Sequence, residues 1–280
     1  NEANGGFPPM QLGNYAISPA EGGGYTWVLD AGPNVFCLYP EYLTDPMIGF
    51  CPSKAGLGEA VAKTKINDEW CFGYAPAPNG GKDCARAIDS CYGYLGWVID
   101  RASTTTRDSE PVTSASAVSL MQAVGLTLPG NLAADAVLPR QINAILYTMV
   151  ADTATLLELY NGTRHGIAPS ADKDANMADA GMNEPAGSGN GGGDTVYRFR
   201  EGIERFLITD INNAGSANVA QSAVWVMFDQ LSTSPKAYNH IPGGANVLYM
   251  DGHVEFKKYE RKGDAPANEG IAAFTGILTM

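Results

Sequence analysis

His240-Ile241-Pro242-Gly243-Gly244-Ala245-Asn246-Val247-Leu248-Tyr249-Met250-Asp251-Gly252-His253-Val254-Glu255-Phe256 joins a glycine-rich turn, two short apolar strands and an Asp-Gly turn. Asp251-Gly252 between alternating runs predicts a β-hairpin, because a two-residue type I′ loop needs residues that tolerate positive φ. That loop places Met250 opposite His253, Tyr249 opposite Val254, Leu248 opposite Glu255 and Val247 opposite Phe256. Val247, Tyr249, Val254 and Phe256 then share one apolar face, as in a hairpin with one buried side.

The preceding run Ala223-Val224-Trp225-Val226-Met227-Phe228 is apolar on both parities and predicts a central strand covered on both faces. Upstream, Tyr25–Leu29, Val35–Tyr39 and Tyr92–Asp100 read as strands between glycine and proline breaks. Ser114–Val124 and Leu138–Tyr160 read as helices. In the longer one Ile142, Leu146, Met149, Leu156 and Tyr160 recur at helical spacing, and Asn161-Gly162 caps the end. Asp194-Thr195 is an N-cap pattern for a helix over Val196–Leu207. Gly270–Met280 is apolar enough to dock as a terminal strand. Residues 166–194 are rich in Ala, Asp, Asn and Gly and predict an exposed acidic loop, with GSGNGGGD its most flexible part. The whole reads as α+β, a mostly antiparallel sheet with packed helices, in one elaborated globular domain over 1–280. Its subregions are a cysteine-rich segment at 51–110, the acidic loop at 166–194 and the sheet region at 223–259.

Composition narrows the function. The chain has 280 residues, 45% hydrophobic and 17% charged, with a formal charge of −12 and a pI near 4.6. An acidic surface repels phosphate backbones, so no nucleic-acid partner is expected, and a divalent cation is the more natural ligand. No run of 18 apolar residues is present, so no transmembrane helix is expected within the sequence. The five cysteines, at 37, 51, 71, 84 and 91, cluster in the first third without a CxxC pair, and the three histidines lie far from them in sequence. This favours disulfides in an oxidising compartment over a zinc site. Cys71–Cys84 would close a polar loop, and Cys51–Cys91 would tie the turn at Cys51 to the strand at Tyr92. Spacing leaves the connectivity open and one thiol over.

Catalytic motifs are missing. There is no Gly-x-Ser-x-Gly elbow and no HExxH, and Gly191-Gly192-Gly193 lacks a P-loop lysine. His165 follows a helix end, where a cation complements the dipole. Glu201 and Glu204 sit among Arg198, Arg200 and Arg205 and read as a surface ion-pair network. Two groups could hold a cation. Asp229, His240, Asp251 and His253 come together near strand ends, where they form either a metal site or a structural clasp. Asp172, Asp174 and Asn176 resemble the start of a calcium loop, but Met177 stands where an EF-hand needs glycine and Asn183 where it needs glutamate. Ca2+ is the cofactor these groups suggest.

The His240–Phe256 stretch also resembles the C-terminal signature of bacterial prepilin-type proteins, the pseudopilin-like family with a His, nine residues, then Asp-Gly. Here ten residues intervene, Ile241 being the additional one, so a fixed His–Asp geometry does not carry over directly. The signature positions are His240, Gly243, Gly244, Asn246, Asp251, Gly252 and His253. Leu38-Tyr39-Pro40-Glu41-Tyr42 followed by Cys51-Pro52-Ser53 is similar to the family's YPxY…CPS segment. Cys91-Tyr92-Gly93-Tyr94-Leu95-Gly96-Trp97 looks like its aromatic strand. Tyr197–Asn213 and the strand ending in Asp229 look like its approach to the signature. About half of the chain is covered, in the family's order.

The resemblance implies a pilin-like domain that serves as a structural subunit of an extracellular or periplasmic filament, a homo-oligomer and not an enzyme. Family members carry an N-terminal hydrophobic helix, so here it is expected to be missing from the sequence or supplied by another subunit. Related pseudopilins hold calcium in loops, which keeps a calcium site open by analogy. The alternatives are a secreted binding module for polysaccharide or another cell-surface component, and a metal-dependent extracellular enzyme.

Overall fold

The structure is a computed structural model that describes residues 6–16, 25–66, 68–71, 90–123, 132–161, 169–181, 186–207, 221–233, 237–241 and 243–278. It combines helices with small antiparallel sheets, an α+β architecture. Strand β1 (Met10–Ala16) pairs antiparallel with β2 (Tyr25–Pro33). Helix α1 (Leu57–Lys63) leads into the short ladder of β3 (Lys65–Ile66) and β4 (Glu69–Trp70). After β5 (Tyr92–Gly93), β6 (Ser109–Pro111) and β7 (Val137–Pro139) pair on either side of α2 (Ser116–Ala123). Helices α3 (Arg140–Ala151) and α4 (Thr153–Asn161) follow. Then β8 (Ala175–Asn176) pairs with β9 (Thr195–Val196). The C-terminal part contributes β10 (Trp225–Asp229), β11 (Gly244–Tyr249), β12 (Val254–Lys258) and helix α5 (Glu269–Leu278). These three strands and β5 form a four-stranded antiparallel sheet in the order β12-β11-β10-β5.

The largest apolar cluster draws residues from Met10 to Leu278 and centres on Trp97, Ile142, Leu146, Met149, Phe228 and Phe274. Helix α3 buries Ile142, Ile145, Leu146 and Met149, as its periodicity predicts. Its buried amides are used as backbone caps. Gln141 accepts from the Asp100 and Arg101 amides at 3.2 and 3.1 Å, and Asn143 accepts from the Ala117 amide at 2.9 Å.

The hairpin forms, shifted by one residue from the expected register. Leu248 faces Val254, Val247 faces Glu255 and Asn246 faces Phe256. The Gly252 amide donates to Tyr249 O at 2.9 Å and the Tyr249 amide to His253 O at 3.0 Å. Within the loop, Gly252 (φ 90°) alone takes positive φ. This is a three-residue loop with a left-handed glycine, since a type I′ turn would also require Asp251 at positive φ. A one-residue slip turns a strand over. Val247 is therefore buried, while Val254 and Phe256 lie outside at 62% and 52% exposure.

Other expectations need correction. The long helix breaks at Asp152 into α3 and α4, bent by 66°, and Leu138 belongs to β7. Val35–Cys37 is a 3-10 turn, and of Tyr92–Asp100 only Tyr92–Gly93 is strand, with an isolated bridge at Trp97. The expected helix over 196–207 is instead strand, loop and a 3-10 turn at Ile203–Phe206. The terminal strand is helix α5, buried almost all round, so no polar face betrays its period. Asn268 starts it by accepting from the Ile271 amide at 3.1 Å.

Within the described part of 166–194 the segment is built into the core. Ala171, Ala175, Met177, Ala180, Ser188 and Asn190 are buried. Asn190 donates to Val98 O at 3.0 Å and Asp100 at 2.8 Å, and accepts from the Tyr197 amide at 2.7 Å. Small side chains here permit close backbone approach; a Cβ at Gly189 would lie 2.5 Å from the Thr195 amide nitrogen.

Among the described residues no single helix is long and apolar enough to cross a membrane. The bent pair α3–α4 passes on length and composition, but α3 is largely buried.

Candidate functional site

Three elements meet beside the end of β10. Asp229 is the last residue of that strand, which the apolar run at 224–228 buries as the sheet's inner member. His240 lies in the turn before β11. Cys51 lies in the Cys51-Pro52-Ser53-Lys54 turn, closed by the Lys54 amide donating to Cys51 O at 3.0 Å. A second apolar cluster fixes that turn, with Val35, Phe50 and Cys51 packed against Cys91 and flanked by Leu57, Trp70 and Tyr92. Lys54 Nζ donates to Ser90 O at 2.7 Å, fastening the turn to the start of β5.

His240 Nε2 stands 2.9 Å from Asp229 Oδ2 and 3.5 Å from Cys51 Sγ. The ligand atoms of Cys51, Asp229 and His240 all lie within 4.8 Å of one another. Asp229 Oδ2 also accepts from the Asn246 amide at 2.9 Å and from Asn246 Nδ2 at 2.7 Å. Asn239 donates to Cys91 O at 2.7 Å, and the Gln230 amide to the same oxygen at 2.8 Å. Burial pushes the Cys51 thiol above its ordinary value; hydrogen bonding to Ser53 opposes this, and the Asp229 charge and Cys91 add to it. Burial, then the neighbouring Cys51, Asp229 and Cys91, pushes the Tyr92 phenol up to about 12.

The geometry is not that of a nucleophile–base–orienter triad. In such a triad the nucleophile and the carboxylate use opposite ring nitrogens. Here both Cys51 and Asp229 address Nε2. One ring nitrogen has a single proton or a single lone pair, so it serves one of these partners well at a time.

The expected cation ligands divide. Asp229 and His240 are brought together. Asp251 is held at the exposed hairpin turn, where its Oδ1 accepts from the His253 amide at 3.1 Å and lies 2.6 Å from His253 Nδ1. The His253 ring stacks on Tyr249 with centroids 4.3 Å apart. Hydrogen bonding from the His253 amide holds the Asp251 carboxyl below its ordinary value. Asp172 forms a buried ion pair with Arg198, and Asp174 meets Arg200 at 3.1 Å. Asn176 accepts from the Ala178 amide at 2.8 Å. Asp174 also accepts from the Arg198 amide at 2.8 Å, so Asp172 and Asp174 are taken up by arginines and Asn176 by its own turn, and Arg198 is a core residue, not a member of a surface network.

Of the two expected disulfides, Cys51–Cys91 is not formed: both residues carry thiols, as does Cys37. The two thiols share one apolar cluster, and Cys51 is turned toward His240. Cys71 is disulfide-bonded, and Cys84, expected to join it, lies outside the described residues, as do His165 and the Gly162 cap. Sequence reasoning missed Cys51 as a partner of His240.

The chain matches no family model, no curated protein and no solved structure.

Proposed function

We propose that this chain is the globular part of a prepilin-type protein, a structural subunit of an extracellular or periplasmic pilus- or pseudopilus-like filament. The observation that carries this reading is the outer strand β12. It pairs with β11 on one side, and no strand among the described residues pairs with its other side. Its outward face presents Val254 and Phe256, and Ile241 in the preceding turn is 52% exposed. An apolar, one-sided edge is a surface that monomers usually blunt and assemblies cover. Glu255, Lys257 and Lys258 flank it and keep the isolated domain soluble.

Family-like motifs from distant parts of the sequence support the same reading by their placement. The Cys51-Pro52-Ser53 turn, the start of the aromatic strand at Cys91, the strand ending in Asp229 and His240 of the signature meet at one point. Such a meeting is expected of a shared scaffold. The role is assembly and surface display, with lateral contacts made by this domain.

Immunogold electron microscopy of the native cell surface, with antibody against this domain, tests the proposal. Filaments labelled along their length are expected. Label confined to a soluble monomeric fraction overturns it.

A further inference from the structure

We infer that Cys51, His240 and Asp229 form a binding site for a zinc-like divalent metal ion. A thiol sulfur, an imidazole nitrogen and a carboxylate oxygen from three separate elements point at one another within 4.8 Å. A catalytic triad does not fit that arrangement, because Nε2 is the shared contact of both partners. A cation at the centroid engages all three at once.

The distances suit a tetrahedral ion of this kind. With metal–ligand bonds of roughly 2.0–2.3 Å, neighbouring ligands stand about 3.3–3.8 Å apart. Cys51 Sγ and His240 Nε2, at 3.5 Å, already have that separation. Asp229 and His240, at 2.9 Å, would open by about 0.5 Å to reach it. The donor set selects the metal class. Sulfur and imidazole favour Zn2+ and its analogue Co2+, whereas Ca2+ demands six or more oxygens.

The contacts around the three side chains suit the role as well. Asn246 donates twice to Asp229 Oδ2, which fixes the carboxylate, and the turn around Cys51 is anchored by Lys54 to Ser90 O. His240 is partly exposed, giving the ion an entry path and leaving the fourth position to water. The inference is independent of the filament reading: a chain that never polymerises could bind the metal, and a metal-free chain could polymerise.

The test uses chelator-stripped protein with its Cys71 disulfide intact, handled without oxygen or reductant and titrated with Co2+. One equivalent should bind, with a thiolate-to-cobalt charge-transfer band and the visible absorption of a four-coordinate ion. Zn2+ should bleach both and excess Ca2+ neither. Cys51→Ser should abolish the charge-transfer band, and His240→Gln should weaken binding at least about 100-fold. Absence of the band in the wild-type chain, or its persistence in Cys51→Ser, overturns the inference. Should a variant fail to fold, alkylation of the wild-type thiols read by peptide mass spectrometry decides the matter. Zn2+ should slow modification of Cys51 at least tenfold and leave Cys37 unchanged; equal Cys51 rates with and without Zn2+ overturn the site.

Discussion

Arg198 packs its guanidinium 4.8 Å from the centre of the Trp97 ring and forms a buried ion pair with Asp172. The same guanidinium donates to Gly96 O and, at 3.3 Å, to Pro8 O. Each contact uses a different edge of a planar fork, which a lysine ammonium cannot reproduce. Arg198→Ala takes the guanidinium away from the buried Asp172 carboxylate and should cost about 3–5 kcal/mol of unfolding free energy in chemical denaturation. Arg198→Lys should recover less than half of that loss. Gly96 belongs to the same arrangement: its φ is 82°, and a Cβ there would lie 2.3 Å from Arg198 Nη1. Gly96→Ala should therefore destabilise as well, whereas an alanine at the exposed Gly56, with nothing within 4 Å of its Cβ, meets only the backbone cost.

At the scale of elements, the break between α3 and α4 turns on Asp152. Its Oδ1 accepts from the Ala154 amide at 2.9 Å, and its other oxygen pairs with Lys173. Asp152→Ala should cost about 1 kcal/mol, measured by urea denaturation. The Lys173 hydrogen bond, then the Ala154 amide, holds the Asp152 carboxyl below its ordinary value of 3.8. A depressed carboxylate contributes stability that is present above the unfolded value and is lost as pH falls through the folded one. The penalty of Asp152→Ala should thus be complete at pH 6 and shrink below about pH 4. The hairpin makes a parallel case. Gly252→Ala should destabilise by about 1 kcal/mol through positive φ alone, since its Cβ would meet nothing within 4 Å. Both elements show why legibility was partial. Apolar periodicity located α3, and an unbroken apolar run located the inner strand β10, because each buries a definite set of side chains. It could not find the break, which a single capping carboxylate makes, nor the terminal helix, whose buried surroundings erase the polar face. Asp251-Gly252 announced a turn, but the two-residue loop read from it was one residue too short. That one residue decided whether Val254 and Phe256 lay inside or out.

Across the molecule, the point where Cys51, Asp229 and His240 meet joins two apolar bodies that chain connectivity leaves far apart. One is the cluster around Val35, Phe50 and Cys91; the other is the sheet packed on the main core. The pairing of Asp229 with His240 was legible because both were expected near the ends of adjacent strands. The third member was not, because contacts between residues 189 positions apart follow from tertiary packing, which no local pattern encodes. If the meeting point couples the two bodies, loss of its central acceptor should loosen both. Asp229→Ala removes the oxygen that receives the Asn246 amide and Nδ2 and faces His240. A loss of about 2 kcal/mol is expected, kept moderate because the exposed Asn246 regains water. Amide hydrogen exchange should then quicken together in residues 46–57 and 244–258, while the amides of α3 keep their protection. Faster exchange in the hairpin alone would mean that the Cys51 turn is held by its own apolar cluster, and that the two bodies are only neighbours.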